Sequence, residues 1–182
     1  KMNDNQNLTT GNVPIKLIVF ALPLLAANLL QSFYGLVDMV VVGRIVGENG
    51  LAAISSASMI SFIISSVCIG ITMGGTVLAA QYKGAKDECG QIETIGTLFT
   101  ISLIAAVLVT AAGLSAYGPL FQILNVPAAA MEDACGYMKI ICFGTVFVFG
   151  YNAVCSILKG WGDAKSPLYF VAVATAVNIV LD

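Results

Sequence analysis

Histidine is absent from this 182-residue chain. That absence removes the side chain that most often works as a general base near neutral pH, and with it the commonest zinc ligand. Charge is scarce as well. Asp, Glu, Lys and Arg together make up 10% of the sequence, against roughly 25% in soluble domains. The net charge is −2, so there is no basic surplus to neutralise a phosphate backbone and nucleic acid is not an expected partner. The cysteines, Cys68, Cys89, Cys135, Cys142 and Cys155, form no CxxC pair. They imply no disulfide framework, and lying mostly in apolar runs they read as small hydrophobes. A signal-peptide pattern is missing too. Residues 1–13 are polar, and the apolar run after them is too long for an h-region.

What is abundant is apolar sequence. Hydrophobic residues make up 58% and mean hydropathy is +0.92. The fold class that follows is an all-α integral membrane protein, a polytopic helical bundle, because in lipid a helix satisfies its backbone internally. Five runs approach the ~20 residues needed to cross hydrocarbon. They cover about 17–42, 51–80, 95–117, 137–158 and 167–182, with residues 1–13 as a tail. The segments 43–50, 81–93, 117–136 and 159–167 read as loops, with a short surface helix within 117–136 and a turn cluster at 159–167. Pro167 suits the first turn of a helix.

Lys1, Lys16, Lys83, Lys86, Lys159 and Lys165 fall on one side of this topology, and Arg44 and Lys139 on the other. The excess predicts a cytoplasmic N-terminus. The fifth run stops at Asp182 after ~24 Å of helix, short of a ~30 Å core. The expectation is therefore a piece of a longer protein.

Asp38 stands out. A carboxylate inside a spanning helix costs roughly 2.5–3.5 kcal/mol on insertion scales and is a functional hypothesis by default. Asn28, Gln31, Gly35 and Asp38 are spaced by three or four, which places them on one helix face, with Tyr34 beside them. On the fifth run Thr175, Asn178 and Asp182 repeat the pattern. By helical rise the two stripes reach similar depths, so facing each other across a polar cavity is the economical arrangement. The competing reading makes Asp38 an interfacial residue that caps the second helix or pairs with Arg44, and leaves Asn178 and Gln31 as interhelical glue.

The second run carries Ser58, Ser61, Ser65, Cys68 and Thr72 at helical spacing, with Gly70, Gly74 and Gly75 nearby. Such a face packs closely against a neighbour or lines a pathway. Tyr137 and Trp161 read as interface anchors, and Asn152 sits ~9 Å from the end of the fourth run. An enzyme reading comes from "GWGD" (160–163), which has the G-x-G-D form of intramembrane aspartyl proteases with Asp38 as partner acid. Asp163 lies in a short loop far from Asp38, so a turn is the better reading and no enzyme is expected.

Four stretches in order resemble the multidrug and toxic compound extrusion (MATE) family. "ALPLLAANLLQSFYGLVDMVVVGRIVGENGLAA" resembles its first helix, with Pro23, Asp38, V-G-x-x-G and L-A-A. "GTVLAAQYKGAKD" resembles the exit of its second helix, with Gln81 and Gly84. "LKGWGDAKSPLYF" resembles its fourth loop, and "NIVLD" resembles the Asn-x-x-x-Asp of its fifth helix. The resemblance runs from Pro14 to the end and matches helices 1 to 5 of the six-helix N-terminal lobe, in the DinF-like prokaryotic branch. It implies a secondary transporter that exports drugs, organic cations or metabolites in exchange for H⁺ or Na⁺. It implies coupling residues at Asp38 and Asp182, with Gln31 and Asn178 beside them. Tyr34, Thr175, Tyr137, Asn152 and Asn28 would line the cavity. No cofactor is implied beyond the coupling ion, and no metal beyond Na⁺ at Asp38 and Asp182. The implied partners are membrane lipid, a small-molecule substrate, and the sixth helix and second lobe, in a bacterial plasma membrane. A lipid-linked oligosaccharide flippase of the same superfamily is the alternative. Such cavities are basic, and no Lys or Arg lies mid-span here.

Overall fold

The structure is a computed structural model that describes residues 12–45 and 47–181. Five helices follow in chain order: α1 (Val13–Ile45), α2 (Glu48–Ala85), α3 (Glu88–Ile123), α4 (Ala128–Gly160) and α5 (Lys165–Leu181). The first four are long and apolar enough to cross a membrane, and α5 is a shorter apolar helix.

The helices outrun the apolar spans. Only Lys86 and Asp87 separate α2 from α3, and only 124–127 separate α3 from α4. The expected loops at 81–93 and 117–136 are therefore mostly helix. At 81–93 the reason is capping. The Asp87 side chain accepts from the Gly90 N–H at 3.0 Å, which satisfies an orphan donor and starts α3 among charged residues. At 117–136, α3 continues through Pro119, and Ala128 opens α4 directly behind Pro127. Hydropathy marks only the part of a helix that suits hydrocarbon, while the backbone ladder continues beyond it.

α2, α3 and α4 pack as a tight three-helix block. Their buried positions repeat by three and four, the spacing of one helix face. On α3 these are Gly90, Thr94, Leu98, Ser102 and Ala106. On α4 they include Ala134, Met138, Cys142, Thr145, Phe149 and Ala153. The small-residue face of α2 divides. Cys68 and Thr72 are buried, and a Cβ on Gly75 would lie 2.5 Å from the Leu98 side chain. Ser58 is exposed, and Gly70 and Gly74 face open space. Close packing is therefore the role of the Cys68, Thr72 and Gly75 edge. Hydroxyls cross the seams. Thr110 Oγ1 donates to the Cys142 carbonyl at 3.0 Å, and Ser156 Oγ donates to the Thr72 carbonyl and lies 2.7 Å from Thr76 Oγ1. Each such interhelical bond contributes on the order of 0.6 kcal/mol.

α1 buries only Ala27 among its described side chains. It packs mainly along α5 and to a smaller extent on α2, while α5 touches α4 lightly. The molecule is thus a three-helix block with an α1/α5 pair beside it. All five cysteines are free. Cys68, Cys142 and Cys155 are buried, Cys135 is half-buried, and Cys89 is exposed rather than packed.

The α4–α5 connection is a turn, as its composition predicts. Gly162 has φ 79°, a conformation glycine adopts without strain. Asp163 Oδ1 accepts from the N–H groups of Lys165 and Ser166 at 3.0 and 3.1 Å, and Oδ2 accepts from the Ser166 hydroxyl at 2.6 Å. Asp163 is the N-terminal cap of α5, which accounts for the acid of "GWGD". Burial pushes its carboxyl up, but the Ser166 hydroxyl, the two N–H groups and the Lys165 charge outweigh burial and hold it below its ordinary 3.8. A depressed folded value means the stabilisation is present above pH 3.8 and lost as pH falls through the folded value. Asp163→Ala is expected to cost about 1 kcal/mol near neutrality. Thermal unfolding in detergent checks this, and the gap from wild type should close on acidification below pH 3.8.

Candidate functional site

Asp38 lies on α1, half-buried, seven residues before the helix ends at Ile45, or ~10 Å along the axis. Two roles that would make it merely structural are not found. Among the described residues Asp38 and Arg44 form no ion pair. The N-cap of α2 is Gly47, with no side-chain cap hydrogen bond. Asp38 does act across to α4. Tyr137 lies within electrostatic range of both Asp38 and Tyr34, and all three side chains are half-buried. A carboxylate and a phenol on α1 thus lie within electrostatic reach of a phenol on α4. Tyr137 is not at the helix end, although it stays at the edge of the apolar run. It follows Ala128 by nine residues, ~13 Å into α4, because α4 starts before its apolar run.

The other expected site residues fall in different places. Thr175 is buried and Asn178 half-buried on α5, the helix that packs along α1. Asp182 lies outside the described residues. Asn28 and Gln31 are exposed. At ~100° per residue, Ala27, Gln31, Tyr34 and Asp38 fall within ~60°, while Asn28 lies ~100° from Ala27. Gln31 therefore shares the direction of Asp38 and differs in level along α1, whereas Asn28 is rotated away. Asn152 is ~22 Å along α4 from Tyr137, and its amide donates to the Val148 carbonyl of its own helix at 2.8 Å.

Two grooves lie away from Asp38. A groove of about 510 Å³ lies between α2 and the end of α3, lined by residues such as Met59, Phe62, Leu120 and Ile123. Another of about 370 Å³ runs between α2 and α3 past Gly74, Tyr82 and Glu93. Asp38, Tyr34 and Tyr137 form a half-buried polar patch, with Tyr137 within electrostatic range of the other two. Among the described residues no three His, Cys, Asp or Glu side chains gather to hold a metal ion. A cation at this patch would meet one described carboxylate together with hydroxyls and carbonyl oxygens.

The sequence matches the family model MatE over residues 23–182. The chain belongs to the MatE family. It is 34% identical over 163 residues to the probable multidrug resistance protein YoeA of Bacillus subtilis, covering 90% of this chain and 35% of that protein. It is 30% identical over 175 residues to the probable multidrug resistance protein YpnP of the same organism, covering 96% of this chain and 39% of the relative. A solved MOP-superfamily transporter from Pyrococcus furiosus superposes with a TM-score of 0.90 at 27% identity, covering all of this chain and 40% of that one. The MatE chain is thus an all-helical membrane protein, and it spans well under half the length of these relatives. They are named for multidrug resistance or transport, and none is named as a flippase or a protease.

Proposed function

We propose that this chain forms the N-terminal lobe of a cation-coupled antiporter that exports small organic molecules across a bacterial plasma membrane, with its N-terminus cytoplasmic. The observation that carries the reading is the half-buried Asp38 carboxylate on α1 within electrostatic range of Tyr137 on α4, in a chain of a family whose relatives are named multidrug resistance proteins. In this reading Asp38 binds H⁺ or Na⁺. Asp182, Asn178 and Thr175 complete the site from α5, and Gln31 and Asn28 line its approach. A sixth helix and a second lobe supply the rest of the transport path, and lipid surrounds the whole.

The mechanism follows from charge. With Asp38 ionised the patch is negative and attracts a cation or a cationic cargo. Neutralising it removes that attraction and changes which helix arrangement is favoured. A cargo that binds one arrangement better is then released on the other side, the general pattern of alternating access. The absence of Lys and Arg from the cluster supports cationic or neutral cargo over a pyrophosphate-linked one.

The test is export by the full-length protein in proteoliposomes loaded with a fluorescent organic cation. Export accelerated by an opposing H⁺ or Na⁺ gradient supports the reading, and export indifferent to both sinks it. Tyr137→Phe removes a phenol from the patch but keeps the ring. It is expected to raise the cation concentration needed for half-maximal export several-fold, by about the ~1 kcal/mol of one hydrogen bond, with little change in folded yield on size exclusion.

A further inference from the structure

At the end of the bundle where α2 stops and α4 turns into α5, a set of contacts stands apart from the Asp38 patch. Lys83 lies in the last turn of α2. Its Nζ donates to the backbone carbonyl of Trp161 at 2.5 Å and lies 5.8 Å from the centroid of the Trp161 ring. Trp161 is the C-cap of α4. A cation carried by one helix therefore sits at the carbonyl end of another, where the helix dipole places partial negative charge. Two residues on, Asp163 holds the opposite charge against the first N–H groups of α5, and it also acts on Lys83. The turn 161–164 is pinned from both sides.

α5 has no comparable seam of its own with the block. It lies along α1 and touches α4 lightly, so among the described residues this turn is its main link to the block. Thr175 and Asn178 lie ~15–20 Å along α5 from Lys165. A tilt of ~10° at the turn moves them ~3 Å, which is enough to break a polar contact.

We propose that Lys83 is a positioning residue for the coupling site. By capping α4 from α2 it fixes the turn from which α5 extends, and thereby where Thr175 and Asn178 meet α1. The proposal rests on the reading of α1 and α5 as the coupling pair. Lys83 touches no ligand and acts through α5.

The test separates this proposal from the transport reading. In the full-length protein carrying Cys89→Ser and Cys135→Ser, spin labels are placed at Ile92 on α3 and Val180 on α5, both well exposed. Pulsed electron-electron resonance then gives their distance distribution. Lys83→Met is expected to shift or broaden it by ~3 Å, and Lys83→Arg, which keeps charge and donors, to restore it. Gradient-driven export should show the same split. Lys83→Met should need about 10-fold more coupling cation for half-maximal rate, and Lys83→Arg should match wild type. A Lys83→Met distribution that superimposes on wild type overturns the proposal, whatever the transport result. If Lys83→Met is not recovered folded, Lys83→Gln is judged by the same distances. A wild type that does not export would sink the coupling reading, while the distances still decide the role of Lys83.

Discussion

Asp38→Asn is expected to reduce gradient-driven export to background, a loss of about 5–150-fold, the range of typical coupling energies. The substitution is nearly isosteric and keeps a polar side chain, so the patch with Tyr34 and Tyr137 stays filled. What it removes is the negative charge and the ability to take up a proton or hold Na⁺ as a carboxylate. Because Asp38 neither pairs with Arg44 nor caps α2, the folded state loses no ion pair or helix cap, and thermal stability should be unchanged or higher. A structural carboxylate would behave in the opposite way, with stability falling and export per folded molecule unaffected. Measuring both quantities on the same membranes separates the two. Asp182→Asn is expected to follow Asp38→Asn in export.

The second large effect is on assembly. Gly160 sits where α4 packs closely on α2. A Cβ there would lie 2.7 Å from the Thr76 carbonyl oxygen and 2.8 Å from the Ala79 Cβ. Neither atom can swing aside, since one is backbone and the other is fixed to it. Gly160→Val is therefore expected to force the seam apart, at a cost of about 1–3 kcal/mol from overpacking alone. It should also loosen the Ser156 contacts with Thr72 and Thr76 one turn away. Gly144→Val on the same helix is the control, because a Cβ there meets nothing within 4 Å. Fluorescence-detected size exclusion after heating should show a lower melting point for Gly160→Val and an almost unchanged one for Gly144→Val. Equal shifts would mean that close approach at Gly160 is not what holds the seam.

Much of this architecture is legible in the sequence, for a physical reason. A membrane removes the competition that water offers the backbone, so an apolar run of sufficient length is a helix, and the runs around 17–42, 51–80, 95–117 and 137–158 all lie within helices of the structure. The ends are less legible, because they are set by single caps such as Asp87 and Asp163 rather than by hydropathy. Asp38 is visible because a lone carboxylate in an apolar helix is expensive, and Tyr34 is visible by adjacency. Tyr137 shows by residue type only as an aromatic at the edge of an apolar run, and the family resemblance adds it to the cavity. Its electrostatic reach to Asp38 joins two helices, which no local spacing shows. Spacing also groups Asn28 and Gln31 with Asp38, and both are exposed in this chain, since three-four periodicity defines a stripe up to ~100° wide and not which of its members are covered. Lys83 reaching the Trp161 carbonyl joins residues 78 apart in sequence, and no local pattern announces it.

The most direct test of the central claim is cation uptake by purified full-length protein, without substrate. Proton uptake is read with a pH indicator and Na⁺ by retention of radioactive sodium, for wild type and Asp38→Asn. The account predicts saturable uptake of one of these ions by wild type and its loss in Asp38→Asn. Undiminished uptake by a folded Asp38→Asn protein would contradict it and place the coupling ion elsewhere.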